Sequence, residues 1–544
     1  MADVASTSFS DEECLRPASN APKRPRSRAL FEDVTNKEDS FDSFDSFDSP
    51  QKKQAPKKRS PALITSNLGD ATSKDSFDSF DSFDSPPTKK SRISPKKRSP
   101  ARFFPLESGV PGFPALYDLD GVTLSVQTAT VTGGQAILDC IDLKTHQQSF
   151  AYLQDQWAEL GIVAGDTIRI FDAQRWKQND WIVDAEHGVI ITQPDTLVSA
   201  TSVSQALFCQ RKAVLGDRFR GGNSTNKAMF MGSIIHDLFQ TAIQQPPGTV
   251  TGEWLLKRWR TSIDEDPSAL VALVALNFSP STFEAELDPY VNIICQWVRD
   301  KMAQRRPLPS GATVSQVADI EENIWLPKLG IKGKIDATLR VQKNGTSYLE
   351  PLELKTGRSG ASHEHSLQVL LYSLMLSITE ASPIRPASLL YLKDGVARNI
   401  EPKAIDLKGI LSVRNRIAGQ LGDIARELPE PLTETRPCGR CEHAMACSLY
   451  GDYGGTQKVS AQFSAFAEAS AAYLKPAHAA YFKKWMHMLT LELKTAQSKS
   501  ATPSLIWTMA PEAREMRGTC VGDLRLGRVE KAAAGGRSLL VFER

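Results

Sequence analysis

The segments GKIDATLRV (residues 333–341) and PLELKTG (residues 351–357) constrain this 544-residue chain more than any other stretch. Asn344-Gly345 lies between two runs of strand composition, and Asn-Gly is the pair that a tight hairpin turn favours. The strand carrying Asp336 is therefore expected to fold back beside the strand carrying Glu353. Side chains two apart on a strand point to the same face. Glu353 and Lys355 should project together, with Leu352 and Leu354 facing a core. Two carboxylates and a lysine that converge in this way can hold a divalent metal against a phosphodiester. A lone E-x-K is also what a half-buried strand shows on its solvent side, so the surroundings must decide between the two readings.

Bulk composition excludes little. Lysine and arginine number 65 against 63 acids, for a net charge of +2, which neither requires nor forbids a nucleic-acid partner. No apolar run approaches the roughly 18–20 residues of a membrane span. The acidic start, MADVASTSFSDEECL, lacks the apolar stretch of a secretory signal and does not look like a standard mitochondrial presequence. Eight cysteines in a chain this long do not suggest a secreted disulfide scaffold.

The chain divides by composition. Residues 1–103 are expected to be disordered, because serine, proline and charge leave too little apolar surface to offset ordering entropy. They hold a duplicated unit, SFDSFDSFDSP at 40–50 and DSFDSFDSFDSPP at 75–87, each followed by PKKRSPA. The basic blocks suit nuclear import or weak nucleic-acid contact. Ser49-Pro50-Gln51-Lys52 and Ser94-Pro95-Lys96-Lys97 resemble proline-directed kinase sites, where phosphate would reverse local charge. Residues 104–200 are short β-branched runs separated by turn residues and predict an OB-like β domain. Trp157, Trp176 and Trp181 read there as core or rim packing. Residues 201–460 alternate helical patterns with the strand–hairpin–strand unit, and 461–502 are helical. Residues 503–544 are β-rich and read as the start of a further, truncated β domain.

RPCGRCEHAMACSLY places Cys438, Cys441 and Cys447 in a C-x2-C-x5-C pattern. Proline before the first cysteine and glycine after it permit the tight loop that a metal needs. A fourth ligand must come from elsewhere. Cys209 in FCQRK is the best candidate, and His443 would instead complete a Cys3His zinc site. Four thiolates suit either zinc or an iron–sulfur cluster.

In GIKGKIDATL and PLELKTG, followed by EHSLQVLLYSLML, the chain resembles the RecB-like form of the PD-(D/E)xK nucleases. GSIIHDLFQ supplies that form's upstream histidine, His236, and HSLQVLLY its Q-x3-Y pair, Gln368 and Tyr372. With FCQRKAVL and CGRCEHAMACSLY added, the chain is similar to the nuclease half of the eukaryotic replication helicase–nucleases over roughly residues 115–540. The resemblance implies a mixed α/β fold with a restriction-endonuclease-like core and a helical surround stapled by a 4Fe-4S cluster on Cys209, Cys438, Cys441 and Cys447. It implies Mg2+ or Mn2+ on Asp336, Glu353 and His236, with Lys355, Gln368 and Tyr372 completing the catalytic set. It further implies cleavage of single-stranded DNA and 5′ flaps in Okazaki-fragment maturation and end resection. The implied partner is a replication protein A-type protein and the implied compartment the nucleus, with the mitochondrion as a second. No G-x4-G-K-[ST] phosphate loop occurs in the chain, so ATP-driven unwinding is not assigned to it. Two other readings stay open: a non-catalytic module that binds single-stranded DNA or regulates a helicase–nuclease, and a zinc-stabilised scaffold.

Overall fold

The computed structural model describes residues 109–177, 179–219, 227–265, 267–360, 362–424, 426–451, 459–499, 511–516, 518, 520–531 and 538–543. The tail expected to be disordered and the run SLIWTMAP lie essentially outside these residues. The described chain is mixed α/β. Among the described residues, no helix is long and apolar enough to cross a membrane.

The first layer is a sheet built from β1 (Val122–Thr132), β2 (Gln135–Asp142), β3 (Gln148–Leu153), β4 (Thr167–Phe171), β5 (Gln174–Lys177), β6 (Asp180–Val183) and β7 (Val189–Thr192). Its strand order is β5-β6-β3-β2-β1-β4-β7. All its pairings are antiparallel except β3 with β6. The hydrogen-bonded path among the described residues runs open from β5 to β7, which a partly open barrel of the OB kind also allows. Alternation explains its inner face: Leu124, Val126, Leu138, Cys140, Ile168 and Ile170 are all buried. Trp157 is fully buried and Trp181 is partly so. Trp176 departs from the packing expectation and stands 61% exposed, as all four residues of the edge strand β5 are exposed.

After β8 (Val198–Ser199) the chain is helical through α1 (Ala200–Phe208), α2 (Gln210–Arg218), α3 (Lys227–Ile243), α4 (Gly252–Glu265), α5 (Pro267–Ala275) and α6 (Pro280–Trp297). The Ser199 side chain caps α1 by accepting from the Ser202 N–H. Ser279 and Thr282 form a capping box that starts α6. The second sheet follows, with β9 (Thr313–Leu326), β10 (Ile331–Lys343), β11 (Thr346–Lys355), β12 (Ala387–Tyr391) and β13 (Val396–Ile400). Its order is β13-β12-β11-β10, with β9 paired to β10 and β8 to the first residues of β10. β11 and β12 run parallel, so a crossover must join them. That crossover is α7 (His363–Glu380), which ends in a left-handed Ala381. The described chain continues through α8 (Ala404–Gly422), α9 (Ala444–Tyr450), α10 (Ala461–Ala471) and α11 (Pro476–Lys499) to the hairpin β14 (Arg525–Lys531) and β15 (Ser538–Glu543).

The second sheet is buried on both faces. Ala337, Leu339, Val341, Leu352 and Leu354 enter a core with α3, α4 and α6. The opposite face meets α7, whose Val369, Leu370, Tyr372 and Met375 share a core with α1, α8 and the first sheet. Gly333 is needed for that approach. A Cβ there would stand 3.0 Å from both Tyr372 and Met375 side-chain atoms, so a larger residue would require the Tyr372 ring and the end of Met375 to shift.

Arg414 of α8 ties the layers together. Its guanidinium is fully buried and donates to the backbone carbonyls of Thr192, Gln193, Thr196 and Gly330. Those acceptors lie at the end of the first sheet, ahead of β8 and at the entrance to β10. One side chain thereby closes the seam between two sheets distant in sequence, while burial and the neighbouring Arg169 pull its pKa down to about 9.

Candidate active site and cysteine cluster

The hairpin forms where the sequence places it. Asn344 and Gly345 have φ of 51° and 78°, the left-handed pair that a tight hairpin turn needs, and Lys343 pairs with Thr346 across it. The register then runs to Ala337 opposite Leu352. Asp336 and Glu353 lie one residue beyond that last pair. Odd-numbered residues of this part of β10 and even-numbered residues of β11 enter the α3–α6 core. Glu353 and Lys355 therefore belong to the other face, the one that α7 covers, whereas Asp336 sits where β10 changes faces, between Ile335 in the α7 core and Ala337 in the α3–α6 core.

That cover turns an ordinary strand face into a buried polar cluster. Glu353 is 1% and Lys355 5% exposed. Lys355 Nζ lies 3.0 Å from Glu353 Oε1 and 3.2 Å from Gln368 Oε1. Gln368 Nε2 donates to Glu353 Oε1 at 2.8 Å and contacts the Tyr372 hydroxyl at 3.0 Å. Gln368 and Tyr372 are four apart on α7 and hence on one helical face. The glutamine amide thus bridges the two charges, accepting from the lysine and donating to the carboxylate.

Asp336 makes a second, adjoining set. Its Oδ2 accepts the Leu354 N–H at 2.7 Å, which aims the carboxyl toward β11. Its Oδ1 lies 3.3 Å from His236 Nδ1 on α3. One helical turn past His236, Gln240 donates to the Asp336 carbonyl at 3.2 Å and to Glu321 at 2.6 Å. Glu321 also pairs with Lys334. The structure thus brings His236 to Asp336, and Gln368 and Tyr372 to Glu353 and Lys355.

Sequence reading passed over three further participants. Gln240 fixes the backbone of Asp336, and the signal for it was its i+4 spacing from His236. His365, in the first turn of α7, lies 3.1 Å from the Tyr391 hydroxyl, and Tyr391 is the register partner of Lys355. Tyr290 of α6 donates to the Thr356 carbonyl at 3.0 Å, which anchors the chain just after Lys355. The last two contacts carry no local sequence signal.

The cysteines form a separate neighbourhood. Cys209 lies between α1 and α2, and its sulfur accepts the Lys212 N–H at 3.4 Å. α2 packs on α9, and buried Arg211 reaches the Cys447 carbonyl at 3.4 Å and the Pro429 carbonyl at 3.1 Å. Burial raises the Cys438 and Cys441 thiols and pushes Cys447 up to about 11. Charge on Cys209 adds to the rise at all three, so the four sulfurs are electrostatic neighbours. Among the described residues, no three His, Cys, Asp or Glu side chains form a preassembled metal-binding group, which holds for His236, Asp336 and Glu353 as it does for the cysteines. His443 is buried beside them, with Nε2 3.4 Å from Glu442.

Fold and site together define a mixed α/β protein with a buried acid–lysine–glutamine cluster beneath a crossover helix. Comparison with known proteins gives that class a family. The family model described as DNA replication factor Dna2 matches residues 142–341, a span that holds Cys209, His236 and Asp336 and ends before Glu353. The chain is 30% identical over 420 residues to the DNA replication ATP-dependent helicase/nuclease DNA2 of Gallus gallus, covering 70% of this chain and 42% of that protein. Against the Homo sapiens protein of the same name, identity is 31% over 409 residues, 68% of this chain and 38% of the relative. Against dna2 of Schizosaccharomyces pombe it is 30% over 351 residues, 63% and 24%. The chain thus carries a Dna2-family domain and is a relative of the DNA2 helicase/nucleases, consistent with their nuclease region. It spans about two fifths of the length of the vertebrate relatives.

One buried acid next to the site predicts a pH effect on stability. Glu350, also on β11, is fully buried. It is held by hydroxyls alone: Ser388 at 2.6 Å, Ser310 at 3.0 Å and Tyr348 at 3.5 Å. Burial raises its pKa above 4.5, and the Ser388 and Ser310 hydrogen bonds oppose the rise only in part. The folded state therefore holds a proton that the unfolded chain releases. The associated stability is fully present below 4.5 and is lost as pH rises through the raised value. Denaturant melts of Glu350→Gln across that range should show a flatter dependence of unfolding free energy on pH than the parent.

Proposed function

We propose that this chain is a divalent-metal-dependent nuclease of single-stranded DNA, built on a restriction-endonuclease-like PD-(D/E)xK core. The observation that carries the reading is the buried hydrogen-bonded set of Glu353, Lys355, Gln368 and Tyr372 beside the Asp336–His236 pair. A strand that served only to pack would not bury a carboxylate and an ammonium side by side. The donor set suits a hard cation, Mg2+ or Mn2+, held by Asp336, Glu353 and His236. When bound, the metal supplies Lewis-acid polarisation of the phosphate and a water of lowered pKa.

The protein's own groups then have distinct tasks. Lys355 places a fixed positive charge where negative charge develops on the reacting oxygens. Gln368 sets the position of both Lys355 and Glu353, and Tyr372 fixes the orientation of the Gln368 amide. The Leu354 N–H holds one Asp336 oxygen, leaving Oδ1 on the His236 side. Substrate is bound through its backbone and stacked bases.

In the same reading Cys209, Cys438, Cys441 and Cys447 hold a 4Fe-4S cluster, since four soft thiolate donors suit one. The cluster ties the α1–α2 junction to the 438–447 loop and contributes folding free energy, because the unfolded chain lacks the assembled site. Cys441→Ser should lose iron and acid-labile sulfide, and its melting temperature should fall with its nuclease activity. Full loss of iron with unchanged melting and activity would remove the structural role.

The names of the relatives, DNA replication ATP-dependent helicase/nucleases, support a setting in DNA replication for such a nuclease. The proposed setting is 5′-flap trimming in Okazaki-fragment maturation and end resection in the nucleus. A replication protein A-type partner and kinases acting on the N-terminal Ser-Pro sites belong to the same proposal.

The test is cleavage of labelled single-stranded DNA by the purified chain. Cutting should require Mg2+, stop with EDTA, and fall by at least about 100-fold in Asp336→Ala, within the range for loss of electrostatic or metal-assisted steps. Binding without cutting would favour the non-catalytic module. Cutting that survives the substitution would refute the assignment.

A further inference from the structure

A cavity of about 180 Å³ lies between the last two turns of α7, the start of β11 and the loop leading to β12, far above the ~10–15 Å³ that one water needs. It is distinct from the site already described. Gln368 to Ser377 is nine residues of helix, roughly 13 Å, and Glu353 to Leu349 is four residues of strand, also roughly 13 Å. Its far end is thus well removed from the acid–lysine cluster, while its near end, Ser373, directly follows Tyr372 on α7.

Its chemistry is that of an anion site. Arg340 and Arg385 line it, together with Ser373, Ser377, Tyr348 and Glu380. Ser373 is 2% exposed, and its hydroxyl has no hydrogen-bond partner among the described residues. The Nε of Arg385 is likewise buried without one. A buried hydroxyl and a buried guanidinium N–H left unmade are costly, and both residues line this one cavity. The Arg385 guanidinium is held 5.2 Å above the Tyr348 ring, and the Tyr348 hydroxyl is anchored on Glu350. The arginine is thereby positioned before any ligand arrives.

Charge selects the ligand. Two arginines against Glu380 leave one net positive charge, which suits the single negative charge of a phosphodiester better than a polyphosphate. The negative end of the α7 dipole lies nearby. Its Ser377 carbonyl, however, already accepts the Ala381 and Ser382 N–H groups. Ser377 Oγ is spent on the Ser382 carbonyl, which leaves Arg340, Arg385 and Ser373 as the donors.

We propose that this cavity seats one phosphate group, either a backbone phosphate of a bound nucleic-acid strand or a free phosphate. The phosphate chemistry stands without the nuclease reading, whereas the nucleic-acid source rests on it.

The experiment uses the full chain and its Arg385→Gln and Arg340→Gln variants in EDTA, with melting curves as a control for folding. One arm titrates inorganic phosphate by calorimetry. The other titrates labelled oligo(dT) by fluorescence anisotropy at several salt concentrations. A backbone phosphate predicts that each variant binds oligo(dT) several-fold more weakly, with the log–log salt slope reduced by about one, and that it loses phosphate binding. Loss of phosphate binding with oligo(dT) affinity unchanged identifies free phosphate as the ligand. If either variant melts like the parent and neither titration changes, the proposal is wrong. Cleavage by the parent and its loss in Asp336→Ala are read separately, so failure of the pocket and failure of the nuclease reading leave different patterns.

Discussion

Glu353 and Lys355 are opposite charges two residues apart on one strand, both nearly removed from water, and the surrounding structure is arranged around that burial. Desolvating two ions costs several kcal/mol each unless geometry and further hydrogen bonds compensate. Here much of the hydrogen-bonding geometry of that compensation comes from α7. α7 lays Gln368 across the pair, so that a single amide accepts from Lys355 and donates to Glu353. Tyr372 completes the amide's contacts from the next turn. The crossover helix is therefore both the covalent link that lets β11 and β12 run parallel and the lid that fixes the charges.

The same requirement reaches outward. α7 approaches β10 closely because Gly333 offers no side chain at the contact. Gln240 on α3 steadies the backbone of Asp336 from another side. Arg414 binds the entrance of β10 to the end of the first sheet. Sites on rigid strands and helices hold their groups more narrowly than loops do, and each charged group at this centre is carried by such an element.

Much of this was legible in the sequence where the signal is local. Asn344-Gly345 announced the hairpin, and period-two alternation put Glu353 and Lys355 on one face. Gln368 and Tyr372 announced their shared face by a spacing of four. What could not be read was coverage. Alternation alone describes a half-exposed strand, and the burial of Glu353 and Lys355 follows from packing against a helix that the local pattern does not encode. Long-range pairing was equally silent: composition and spacing could nominate Cys209 for the 438–447 loop, but the α2–α9 packing that makes them neighbours is tertiary. Trp176 shows the opposite error. An aromatic in a β-rich segment suggested packing, yet β5 is an edge strand and leaves it in solvent.

The account turns on whether Asp336 and Glu353 share a hard cation. Titration of the purified chain with Mn2+, followed by electron paramagnetic resonance of the free ion, measures this without any nucleic acid. One Mn2+ should bind per chain and be displaced by excess Mg2+, and Asp336→Asn and Glu353→Gln variants that still melt like the parent should each lose it. Undiminished Mn2+ binding in both folded variants would contradict the account, because the ion would then be held by other groups.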